Sequence, residues 1–160
     1  MALPKPAVLQ RMPAASISPL VEEAGARARA AGQRWTPQRA TVYTALLSAS
    51  GAVGAYELIE RLAALHNLPL KPASLYRTLD DLQALGLVVK IESLNAWRAC
   101  HHPHADHQHV FLVCDGCGFT DEIADHGIAR QLAGSASQRG FHTSRQVLEL
   151  HGNCRNCASS

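Results

Sequence analysis

The chain has 160 residues, 47% of them apolar and 18% charged, with a formal net charge of +2. That length allows one domain or two small ones, and so small a net charge leaves any affinity for nucleic acid to a local basic patch. No run approaches the roughly 18 apolar residues that a membrane span needs, and the opening MALPKPAVLQ lacks the apolar core and cleavage site of a secretory signal. A cytoplasmic protein with reduced thiols is expected.

Residues 1–18 carry Pro4, Pro6 and Pro13 among Ser and Ala and are expected to form a flexible leader. PLVEEAGARARAA, Pro19 to Ala31, predicts a helix that Gly32 ends. A second helix starts at Thr36 as N-cap with Pro37 at its first position. Val42, Ala45 and Leu46 recur there at helical spacing, and Ser50-Gly51 stops it. A third helix, Ala55 to His66, buries Leu58, Leu62 and Leu65. After NLPLKP a fourth runs from about Ala73 to Leu85, with Ser74 as a cap residue near its start and Leu75, Leu79 and Leu82 facing inward. Gly86 ends it in a left-handed conformation. LVVKIES and AWRAC, on either side of Leu94-Asn95, predict a β-hairpin. Three helices followed by a hairpin describe a winged helix-turn-helix domain over residues 19–93, with a hinge and His-rich connection at 94–106.

Residues 107–160 read as strand, strand, helix, strand: VFLVC, FTDEI, HGIARQLAGSASQRG and the long FHTSRQVLELHG. The fold class is α+β, the second domain being a small antiparallel sheet with one helix. It is too small to bury much surface alone, so a metal staple and a second copy of the chain are expected to complete it.

Two CxxC pairs sit in that domain, Cys114 and Cys117 in VCDGCG and Cys154 and Cys157 in HGNCRNC. One such pair is equally a disulfide or a redox motif. Two pairs flanking one short segment supply four soft ligands, which suits a closed tetrahedral Zn2+ site that holds the fold and does no chemistry. Gly116 and Gly118 fit tight turns around the sulfurs.

In the helix-turn-helix, the fourth helix has the length to enter the major groove. Ser74, Tyr76 and Arg77 lie off its apolar stripe, and an arginine can donate bidentately to guanine O6 and N7. Lys71 and Arg39 are placed in sequence to contact phosphates. The competing reading makes Arg77 a solvated helix charge and Tyr76 half core. Directly after the hairpin, Cys100, His101, His102, His104, Asp106, His107 and His109 crowd together as zinc-ligand types. The competing reading there is a solvated loop. No HExxH helix accompanies them, which argues against a hydrolytic zinc enzyme. A zinc store or chaperone would need no recognition helix.

TPQR at Thr36–Arg39, AYEL at Ala55–Leu58, KPASLYRTLDDLQALGLV at Lys71–Val88, the His-rich run, CDGCG and HGNCRNC together resemble the ferric uptake regulator superfamily of bacterial metal-dependent repressors. KIES followed by Cys100, the interval from His107 to Cys114 and the spacing of the last cysteine pair look most like its zinc uptake regulators. The resemblance implies a homodimer with a winged-helix DNA-binding domain and a C-terminal dimerisation domain. It also implies a structural and a regulatory zinc, and repression of zinc-uptake genes when zinc is abundant. It adds Tyr56 to Arg77 as a DNA contact and gives Glu122 the place of the family's acidic ligand. The sequence departs from the pattern at Val89, where zinc uptake regulators carry a His or Asp ligand. His109, two residues from His107 and so on the same side of an extended strand, is the expected replacement, with His102 or water as substitutes. The regulatory set is then Cys100, His107, His109 and Glu122, tying the hinge to the dimer sheet. An iron- or peroxide-sensing repressor is the alternative within the superfamily, and the Cys100 thiolate favours zinc over it.

Overall fold

The computed structural model describes residues 14–100, 109–123, 126–144 and 146–158. The chain divides into two compact units, one drawn from residues 7–104 and the other including residues 105–160.

In the first unit, helix α1 (Ala14–Ala30) begins five residues before the expected Pro19, which lies within it. Burial explains the extension, since Ile17 joins the core and Leu20 and Val21 pack against it. Residues 1–13 of the expected leader lie outside the described residues. Helix α2 (Pro37–Leu47) starts as its sequence dictates: Thr36 Oγ1 accepts from the Arg39 N–H at 3.3 Å, satisfying one of the unpaired donors of a helix start. Helix α3 (Ala55–His66) buries Leu58 and Leu62. Its stripe stops there, because Leu65 is 74% exposed. Asn67 turns the chain with a φ of 49°, and the Leu68 N–H donates to the Leu62 carbonyl. Leu68 then packs against the core in place of Leu65.

Helix α4 (Pro72–Ala84) has Lys71 at its N-cap, which makes no side-chain cap bond. Ser74 therefore lies inside the helix and is not its cap. Leu75, Leu79 and Leu82 are wholly buried, as their spacing predicts. At the far end the Gly86 N–H donates to Gln83 and the Leu87 N–H to Leu82. With Gly86 at a φ of 68°, this is a Schellman ending, closed by the buried pair Leu82 and Leu87.

Strands β2 (Val88–Ile91) and β3 (Ala96–Ala99) form the expected hairpin. A two-residue strand β1 (Val53–Gly54) pairs with the other edge of β3, giving the order β1-β3-β2. So short a strand leaves no periodic trace in the sequence.

In the second unit, β4 (His109–Cys114) lies between β5 (Thr120–Ile123) and β6 (Val147–Gly152), with helix α5 (His126–Ser137) before β6 and a one-turn helix α6 (Arg155–Ala158) after it. β4 and β5 are antiparallel, whereas β4 and β6 are parallel. The expected all-antiparallel sheet is corrected here. The connection through α5 carries the chain across to the free edge of β4, and β6 then runs in the same direction as β4. The last strand is also half as long as FHTSRQVLELHG suggests, since pairing with β4 begins only at Val147.

Candidate metal centre and nucleic-acid interface

The parallel pairing builds the metal centre. Cys114 ends β4 opposite Gly152, which ends β6, so both CxxC pairs emerge at one end of the sheet. The Asp115 N–H donates to the Gly152 carbonyl at 2.8 Å and joins the two loops. In the first loop the Gly118 N–H returns to the Cys114 carbonyl, with Gly118 at a φ of 69° that favours glycine. A Cβ on Gly116 would lie 3.0 Å from Cys157 Sγ, so a side chain there would press on the second pair, and glycine leaves it room.

The four sulfur atoms lie within 4.8 Å of one another, Cys117 and Cys154 at 3.8 Å. Zn–S bonds of about 2.3 Å directed to tetrahedral corners place sulfurs about 3.8 Å apart, so the cluster fits that ion. All four are thiols, not disulfides. The Cys154 N–H, 3.2 Å from Cys114 Sγ, holds that thiol down at about 6, with the Cys117 and Gly116 amides assisting against burial. Cys157 is pushed up to about 12, first by Cys154 and then by Cys114 and Cys117. One thiolate forms readily and the next faces its charge. A divalent cation removes that conflict and allows all four. His151, left unassigned by sequence, braces the loop: its Nδ1 is 3.0 Å from Asp115 Oδ1 and its Nε2 3.5 Å from Glu149 Oε2.

On α4, Arg77 and Tyr76 are exposed, as are Lys71 at its start and Tyr56 at the start of α3. Tyr76 also meets Trp97 of β3 edge-on at 5.5 Å, and Lys90 Nζ lies 5.6 Å from the Trp97 ring centroid. The ring contact joins the helix to the hairpin. Ser74 and Arg39 are engaged within the domain. Gln38 Nε2 lies 3.2 Å from Ser74 Oγ and 2.7 Å from Thr78 Oγ1, while Arg39 pairs with Asp81 and with the Arg34 carbonyl. Arg27 of α1 donates to the Leu85 carbonyl at the C-terminal end of α4. Gln38, Thr78, Asp81, Trp97 and Arg27 were not singled out by sequence. The nearest signal was the TPQR stretch itself.

Of the expected regulatory ligands, Cys100 is wholly buried at the end of the hairpin. Its N–H donates to Leu87 and its carbonyl accepts from Tyr43 Oη at 3.4 Å. Burial raises the Tyr43 pKa, so this phenol stays a donor. Val89 is buried in β2 opposite Arg98. Glu122 lies in β5 opposite Phe111, and His109 begins β4 opposite Val147. His107, with His101, His102, His104 and Asp106, lies outside the described residues.

The sequence matches the model of the Ferric uptake regulator family over residues 30–151. A zinc uptake regulation protein of Escherichia coli K12 is 34% identical over 125 residues, 78% of this chain and 72% of that protein. Among solved structures, holo XcZur has a TM-score of 0.78 at 38% identity, covering 89% of this chain and 99% of that one. A zinc uptake regulator complexed with zinc and DNA has a TM-score of 0.81 at 31% identity, covering 89% and 95%.

Proposed function

The chain belongs to the ferric uptake regulator family, and we propose that it is a zinc-responsive transcriptional repressor that binds operator DNA as a homodimer and controls zinc-uptake genes. The observation that carries this reading is its likeness, in sequence and in fold, to zinc uptake regulators, the DNA-bound one included. As such a regulator it would act in the cytoplasm.

Structural zinc is assigned to Cys114, Cys117, Cys154 and Cys157, whose spacing suits it. Regulatory zinc is assigned, from the sequence, to Cys100, His107, His109 and Glu122. A thiolate in that set favours zinc over iron. Zinc at the regulatory site supplies a bond network that a DNA-competent arrangement can satisfy and others cannot. Leu112 and Leu150, register partners on one face of the sheet, are 37% and 53% exposed. Such a face suits a second copy. DNA reading is assigned to Arg77, Tyr56 and Tyr76, with Lys71 at phosphate.

The test is DNA binding titrated against free zinc, with iron and manganese as controls. Zinc is expected to switch binding on at the lowest free concentration, and a response to iron alone would replace zinc as the signal. Arg77→Ala should relax preference at one base pair per half-site and cost about 1–3 kcal/mol. Lys71→Ala should weaken all sequences alike and reduce the salt dependence.

A further inference from the structure

We propose that Gln38 and Arg39 are positioning residues for DNA reading: they set the roll of α4 through Ser74, Thr78 and Asp81, without touching DNA. The inference rests on the reading of α4 as the recognition helix.

At about 100° per residue, Ser74, Thr78 and Asp81 fall within about 60° of one another. Their stripe lies between the buried face of Leu75, Leu79 and Leu82 and the exposed face that carries Arg77. Gln38 Nε2 reaches Thr78 Oγ1 at 2.7 Å and Ser74 Oγ at 3.2 Å, and Thr78 Oγ1 donates to the Ser74 carbonyl. Arg39 meets Asp81 Oδ2 at 2.5 Å. Two consecutive residues of α2 thus grip α4 from Ser74 to Asp81, about 10 Å along its axis.

Leucine packing alone is a weak guard against rotation, because apolar attraction is non-directional. Hydrogen bonds weaken steeply as they bend. A roll of about 10° displaces a side chain roughly 6 Å from the helix axis by about 1 Å, enough to spoil a bidentate contact of Arg77 with a base. The grip on the adjoining stripe opposes that roll.

A phosphate contact by Arg39 fits the structure poorly. Its side chain is 15% exposed, and its two terminal nitrogens are held by Asp81 and by the Arg34 carbonyl. Swinging Arg39 to DNA would leave the Asp81 carboxylate uncompensated on the helix that approaches phosphates.

The test uses the full chain loaded with zinc. A library of random duplexes sorted by the wild type defines the preferred sequence. Affinity for that sequence and for its single-base variants is then measured against salt for Arg39→Ala, Asp81→Ala, their double variant and Gln38→Ala. Each single variant is expected to lose about tenfold of the preference at the base pair read by Arg77. The double variant should be no worse than either charge single, as for residues acting as one unit, with the salt slope unchanged. Arg39→Lys keeps the charge but cannot span both acceptors, so it should lose the preference as well. Thermal unfolding fixes the folded fraction used in each comparison. The proposal is overturned if Arg39→Ala weakens every sequence equally and lowers the salt slope by about one phosphate, or if Arg39→Lys binds as wild type does. A wild-type chain that selects no sequence defeats the regulator reading itself, a result distinct from any difference among variants.

Discussion

Cys114 and Gly152 are register partners in the parallel pair of β4 and β6. Because the two strands end together, the CxxC that begins at Cys114 and the CxxC that follows Gly152 meet at one point. Fold and metal centre therefore depend on each other. Structural zinc sites in peptides contribute about 10–16 kcal/mol to folding, more than a sheet this small supplies alone. Cys154→Ser should lose one zinc per chain, and hydrogen exchange should accelerate across residues 109–158 while residues 14–100 stay protected. Full zinc content in this variant would remove the centre from the fold's support.

Loading that centre should release protons. Cys114 sits at about 6 and is already a thiolate at neutral pH, whereas Cys117 is raised and Cys157 stands at about 12. Zinc binds thiolates. Adding zinc to metal-free chain at pH 7 in weak buffer should release at least the two protons of Cys117 and Cys157. Because protons compete for those sulfurs, zinc retention should fall as pH drops toward 6 and below. A proton release of zero on stoichiometric loading would contradict the four-thiolate assignment.

Most of the helical architecture was legible in the sequence, because helices announce themselves by local signals. Thr36, Pro37 and Gly86 mark ends, and Leu75, Leu79 and Leu82 mark a face. What was not legible is set by contacts distant in sequence. Helix α1 runs through Pro19 because Ile17 finds a core, β1 exists because β3 offers an edge, and Leu65 yields its place to Leu68. The parallel direction of β6 could have been deduced: two strands that each lead into half of one metal site must point the same way if they are neighbours. The cysteine cluster itself was read correctly from spacing. The bonds from Gln38 and Arg39 to α4 were not, since nothing in TPQR says whether its polar groups turn toward solvent or toward a neighbouring helix.

The two ends of the α3–α4 core offer a paired stability test. Leu79 is wholly buried and Leu65 is 74% exposed. Leu79→Ala should cost about 2–5 kcal/mol, from lost burial and the cavity left behind. Leu65→Ala should fall within about 0.5 kcal/mol of wild type. Urea unfolding of the zinc-loaded chain measures both. Equal losses at the two positions would mean that the stripe continues to Leu65 in solution.

The regulatory site yields the prediction most directly tied to function. If zinc at Cys100, His107, His109 and Glu122 switches DNA binding, then removing a ligand must spare the fold and abolish the response. Cys100 suits this separation. Its backbone is held on both sides, by Leu87 and by Tyr43, and exchange of sulfur for oxygen at its side chain leaves those two bonds in place. Cys100→Ser should therefore remain folded, keep the zinc of the four-cysteine centre, and lose zinc-dependent operator binding. Moving a two-state equilibrium from 1:99 to 99:1 takes about 5.5 kcal/mol of differential affinity, which a hydroxyl in place of a thiolate would not sustain. His107→Ala should behave like Cys100→Ser. His109→Ala decides whether His109 is the fourth ligand, since the apolar Val89, buried in β2, cannot serve as one. If His109 is the fourth ligand, His109→Ala loses one zinc and the operator response together. If His107→Ala is inactive and His109→Ala is normal, His102 or water completes the site. Zinc stoichiometry and operator affinity, measured on the same samples of all three variants, separate these outcomes. A normal zinc response in Cys100→Ser would end the regulatory assignment altogether.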